Sequence, residues 1–207
     1  MTETETPTKD QRSLAIGLAI GAACCLLYAA FTSQWLVNAS RYDQISIGLR
    51  GSSECMPRGG WDADREAVTC EHQSNAALVD AWRARGGAAA DEVSAAFAPA
   101  GWITLVLCVL GAAGLLASAG LALARKQLEL PVAPTTVALL GALFGLITGC
   151  VFVATKPGPP GFVGVGLSFW LFGIGCVVAI PGAQMLAKVL RPPDPDLLAG
   201  SMDPGQY

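Results

Sequence analysis

Four apolar blocks constrain this 207-residue chain more than anything else in it. They run from about Leu14 to Trp35, Pro99 to Ala124, Ala133 to Thr155 and Phe162 to Ala187, and none contains Asp, Glu, Lys, Arg or His. A helix crossing a bilayer needs about 20 predominantly apolar residues, so each block is long enough to span. Only 14% of the chain is charged, whereas soluble domains carry about 25%. Ionisable residues inside a membrane mark proton relays and ion paths, and these blocks offer none. The first block follows Lys9 and Arg12 as a signal peptide would. It exceeds the roughly 7–15 apolar residues of a signal sequence and lacks a clean small-x-small cleavage site, so it reads as a retained helix.

Charge sets the expected orientation. Lys9 and Arg12 precede the first block, Arg125 and Lys126 lie between the second and third, and Lys188 and Arg191 follow the fourth. If all four blocks span, these pairs share one side, which the positive-inside rule makes cytoplasmic. The chain then divides into a cytoplasmic tail (1–12), a first span (13–35), a long outer loop (36–98), a second span (99–124), a cytoplasmic turn (125–132), a third span (133–155), a short outer turn (156–161), a fourth span (162–190) and a second cytoplasmic tail (191–207). The expected location is a cell membrane, either plasma membrane or bacterial inner membrane. The formal net charge of −3 gives no basic footprint for nucleic acid.

Glycines mark helix faces. Gly17 and Gly21 in the first span, and Gly141, Gly145 and Gly149 in the third, recur at small-xxx-small spacing, which lets helix backbones approach closely. We read these faces as packing within one chain, with an oligomerisation face as the alternative. Pro181 is expected to kink the fourth helix or end its membrane portion. Cys24, Cys25, Cys108, Cys150 and Cys176 lie in the spans and read as small apolar packers.

The outer loop is polar and patterned. In "YDQISIGLR", Ile45, Ile47 and Leu49 alternate with Ser46, Gly48 and Arg50, which predicts a strand with one covered face. "REAVTCEH" predicts a second strand and "WLVNAS" a third, while "MPRGGWDAD" is rich in turn formers. "SNAALVDAWRARGG" predicts a short helix capped by Ser74 or Asn75 and stopped at Gly86. So small a sheet needs a staple. Cys55 and Cys70 are the cysteines outside the spans, on a side that is oxidising in this orientation, and a disulfide between them is the favoured reading. Two alternatives stay open. Zinc would use His72 beside the two thiolates, but structural zinc wants four ligands at CxxC-type spacing. Redox catalysis would want a reactive pair and a second outer pair to exchange with.

These features converge on a known pattern: four spans with both ends inside, a long first outer loop, Trp35 leaving the first span, then Gly48-Leu49, then a cysteine pair on neighbouring strands. In this the chain resembles the claudin and peripheral-myelin-protein-22 superfamily. "GLSFWLFGIG" (166–175) is similar to the opening of that superfamily's fourth helix. The resemblance implies a non-enzymatic membrane protein that acts by lateral assembly or as an accessory subunit. The chain also departs from the pattern. Arg50 replaces the tryptophan of the family's Gly-Leu-Trp, with Trp61 or Trp82 the candidate for the missing aromatic. "TKPGPPG" is too short and proline-rich to carry a fifth strand. The terminal "GQY" lacks the hydrophobic last residue that claudins present to PDZ domains.

The expected fold is therefore an all-α membrane protein: a four-transmembrane-helix bundle with a small disulfide-stapled antiparallel β-sheet in the first outer loop. No Ser/His/Asp set, phosphate loop or paired intramembrane carboxylates appear, so no enzyme, cofactor or metal is expected. The expected partners are membrane lipids and a protein partner or second copy, met through the helices and the outer loop. The candidate interaction rim is Trp61, Asp62 and Asp64. The alternatives are a membrane thiol-disulfide oxidoreductase and a paracellular-type pore between protomers, lined by Asp62, Asp64 and Glu66.

Overall fold

The structure, a computed structural model, describes residues 8–38, 44–57, 68–84, 86, 93–124, 132–158 and 162–190. The elements run α1 (Lys9–Phe31), β1 (Leu36–Val37), β2 (Gln44–Ile47), β3 (Gly51–Pro57), β4 (Val68–Ser74), α2 (Asn75–Ala84), α3 (Phe97–Ala124), α4 (Pro134–Ala154), β5 (Gly164–Val165) and α5 (Leu167–Val189). Helices α1, α3, α4 and α5 are each long and apolar enough to cross a membrane, and the protein is a multi-pass membrane protein.

Along the helices many of the buried positions are small residues, and many large ones face outward. Ala15, Ala19, Ala22, Ala23, Ala112, Ala119, Ala142, Ala179 and Ala183 are buried, while Leu14, Ile20, Val106, Leu110, Leu143, Phe144, Ile147, Ile174 and Val177 face outward. Lipid tails are as apolar as leucine, so packing rather than hydrophobicity decides which side chains go inside. Small residues allow backbones to close up, and dispersion then holds the helices. The helices form a ring in which α1 packs on α3 and α5, and α4 packs on the same two.

Helix ends follow local chemistry. Thr8 and Gln11 form a capping box at α1, each side chain bonding the other's backbone N–H. Pro134 opens α4, where its missing N–H costs nothing. Arg12 donates to the carbonyl of Ala122 and, at 3.5 Å, to that of Leu123, so α1 caps the C-terminus of α3. Pro181 lies within α5 and does not end it.

At the other end of the bundle sits a five-stranded antiparallel sheet in the order β4-β3-β2-β1-β5. The expectation that the second outer turn carries no fifth strand is corrected here. β5 pairs Leu36 with Val165 and Val37 with Gly164. Two residues suffice because the chain on either side is also tied to the end of α1. Gly166 donates to the Trp35 carbonyl at 2.8 Å, and Ser168 N–H to that of Gln34 at 3.2 Å. The prolines of the turn precede the strand, so they remove none of its hydrogen bonds.

Candidate functional site

The junction of sheet and bundle is built around Trp35. The α1 helix ends at Phe31, and the next few residues turn the Trp35 ring into the bundle, where it is fully buried. Its ring lies 4.9 Å from Phe172 and 5.8 Å, edge-on, from Phe152. Phe97 stacks on Phe152 at 4.6 Å. The indole N–H donates to the Ala29 carbonyl at 2.6 Å, which satisfies the one polar atom the ring carries inward. Four helices thus meet through one aromatic cluster directly beneath the sheet.

Gly48 and Leu49 lock the β2–β3 hairpin onto that cluster. Gly48 N–H donates to the Gly51 carbonyl at 2.8 Å, closing a two-residue tip of Leu49 and Arg50. Leu49 is buried. A Cβ on Gly48 would lie 2.7 Å from the Thr32 carbonyl oxygen, so the close approach of α1 requires glycine. Asn75 completes the lock. Its buried amide donates to the carbonyls of Gly48 and Leu49, both at 3.0 Å. The predicted choice of cap at α2 is thereby resolved: Ser74 Oγ accepts the Ala77 N–H at 3.1 Å, and Asn75 turns inward. Only the hydrogen bonds reveal this second role of Asn75, since an asparagine at a helix start reads as a cap in any sequence.

Arg50, the other tip residue, is exposed, with Cζ 5.5 Å from the centre of the Phe31 ring. Trp82 is buried on α2, 5.3 Å from Phe162.

Cys55 and Cys70 are bonded to each other, directly opposite in the β3–β4 register with a Cα separation of 4.1 Å. Their sulfurs are therefore not thiolate ligands for a metal beside His72. The staple has a nearby opponent: Glu54 and Glu71 also pair directly, and like charges facing across a ladder destabilise it. In the chain-entropy model, closing a loop of about 15 residues contributes about 3 kcal/mol, more than one such charge pair removes. The other five cysteines, Cys24, Cys25, Cys108, Cys150 and Cys176, are free.

The two sets of glycines have different surroundings. Gly141 packs on Gly111, where a Cβ would meet the facing Cα at 2.7 Å, and Gly149 lies against the Phe172 ring. Gly145 is buried with ordinary space around it. Packing within the chain, the favoured reading, holds for this set. It does not hold for Gly17 and Gly21, which are exposed on α1 with nothing, among the described residues, within 4 Å of a Cβ built on either. The predicted rim of Trp61, Asp62 and Asp64, with Glu66, lies outside the described residues.

The fold and the site define a class: a four-span membrane bundle carrying a disulfide-stapled sheet locked to it by a buried tryptophan and a Gly-Leu hairpin tip. No protein-family model matches the chain, and no curated protein is significantly similar to it in sequence.

Proposed function

We propose that this is a non-enzymatic membrane protein of the claudin and peripheral-myelin-protein-22 type. It acts by lateral assembly or as an accessory subunit of a membrane complex, with the outer sheet as recognition surface. Its termini lie in the cytoplasm, because Lys9, Arg12 and Lys188 gather at the end of the bundle away from the sheet. The observation that carries the reading is the outward face of α1. Gly17 and Gly21 expose backbone to the membrane at the spacing that lets two helices close up, and among the described residues no neighbour uses them. The resemblance adds support, since Trp35, Gly48, Leu49 and the Cys55–Cys70 pair form one connected structure.

Cys24 gives a direct test. It is exposed about one turn beyond Gly21, so a partner helix seated on that face lies within reach of its thiol. Mild oxidation or a short bifunctional thiol reagent, applied to native membranes, is expected to produce an adduct larger than one chain that Cys24→Ser abolishes. An adduct that persists in Cys24→Ser, or no adduct at all, would contradict the reading.

A further inference from the structure

An open groove of about 430 Å³ lies between the end of α1 and the sheet. Phe31, Thr32 and Ser33 form one wall, Arg50 stands at the hairpin tip, and Ser53 and His72 lie across the strands. Ser53 and His72 are directly paired, so their side chains share one face of the sheet. The neighbouring pair, Glu54 and Glu71, points to the opposite face by strand alternation. The groove therefore gathers a guanidinium, an imidazole and hydroxyls, and among the described residues no carboxylate lines it. Thr32 Oγ1 is engaged with Ser168 Oγ at 2.6 Å. Ser53 Oγ has only Cys55 Sγ, 3.7 Å away. Among the described residues no carboxylate forms an ion pair with Arg50.

Its depth identifies the occupant. Phe31 at the end of α1, Trp102 in the second turn of α3 and Trp170 in the first turn of α5 are 55%, 52% and 62% exposed. All three stand at the sheet end of the bundle. Outward aromatics at this position mark the membrane–water interface. Arg50 lies over Phe31, within that belt, and its planar fork matches phosphate oxygens with two parallel hydrogen bonds.

We propose that the groove binds the phosphate of an anionic phospholipid from the leaflet on the sheet side, with Arg50 as its principal ligand and Ser53 and His72 as further donors. The lipid's glycerol and chains descend past Phe31 and Tyr28, both exposed. A lipid phosphate fits better than a free phosphate because the groove opens beside the exposed Phe31 ring, with exposed Tyr28 about one turn further along α1. The inference rests on the membrane span alone and holds for a single chain as well as an assembly.

The test is native mass spectrometry of the purified protein from detergent micelles doped with equal phosphatidylglycerol and phosphatidylcholine. The wild type is expected to retain phosphatidylglycerol in preference. Arg50→Gln is expected to lower that preference about tenfold, the equivalent of one charged hydrogen-bonding partner, and Arg50→Lys to keep most of it. An intact Cys55–Cys70 bond and an unchanged thermal midpoint would show that Arg50→Gln has folded. Glu54→Gln, on the opposite face, is the control and should leave the preference unchanged. Equal retention of both lipids by the wild type, or by wild type and Arg50→Gln alike, would overturn the proposal. Displacement of the lipid by inorganic phosphate would also overturn it, by assigning the groove to the free anion. Loss of assembly leaves this readout unchanged, so it fails or stands apart from the functional reading above.

Discussion

The glycines of α4 and those of α1 share a spacing and have opposite surroundings. Gly141 and Gly149 are filled from within, by Gly111 of α3 and by the Phe172 ring of α5. Among the described residues, Gly17 and Gly21 meet nothing. A small-xxx-small pattern therefore says that a helix can be approached closely, and only the fold says from which side. On α4 the approach is already made and contributes to stability. On α1, among the described residues, it is left open, and there the proposed assembly would use it.

The largest effect should come from Gly141→Ala. The new Cβ would meet Gly111 backbone atoms at 2.7 and 2.9 Å, and backbone cannot rotate aside as a side chain can. Separating α3 from α4 should cost about 3 kcal/mol or more, read as a lower unfolding midpoint in denaturing detergent. Gly149→Ala should cost less, about 2 kcal/mol, because its obstacle is the edge of the Phe172 ring, which has some freedom to tilt. Gly145 sharpens the series from within α4. Its nearest neighbour would be 3.7 Å from an added Cβ, so Gly145→Ala should leave the midpoint unchanged or raise it by up to about 1 kcal/mol through helix propensity. A midpoint that falls equally in all three would show that the series does not follow contact geometry.

Much of this fold was legible in the chain because a membrane leaves little choice. Runs of apolar residues free of charge have to be helices in lipid, and the four spans follow. Period-2 alternation placed β2 and its buried Ile47, and the Cys55–Cys70 pair fell to the only cysteines outside the spans. Other features were hidden for stated physical reasons. β5 is two residues long and exists only because folding brings Gly164 and Val165 beside Leu36 and Val37, and no local pattern encodes so distant a pairing. Asn75 hid its lock on the hairpin behind an ordinary cap signal. The groove at Arg50 is likewise non-local, joining α1, the hairpin tip and β4. The direction in which Gly17 and Gly21 face depends on where α3 and α5 choose to pack on α1.

That direction is the centre of the account, and one measurement reaches it. The protein is extracted from its native membrane in lipid-bearing polymer discs, and the particle mass is determined for the wild type and for Gly17→Leu/Gly21→Leu. Both leucines project into open space, so the variant should fold with an unchanged midpoint. Wild-type particles are expected to contain more protein than one chain, and variant particles one chain only. Wild-type particles holding a single chain, or variant particles of unchanged mass, would contradict assembly through this face of α1.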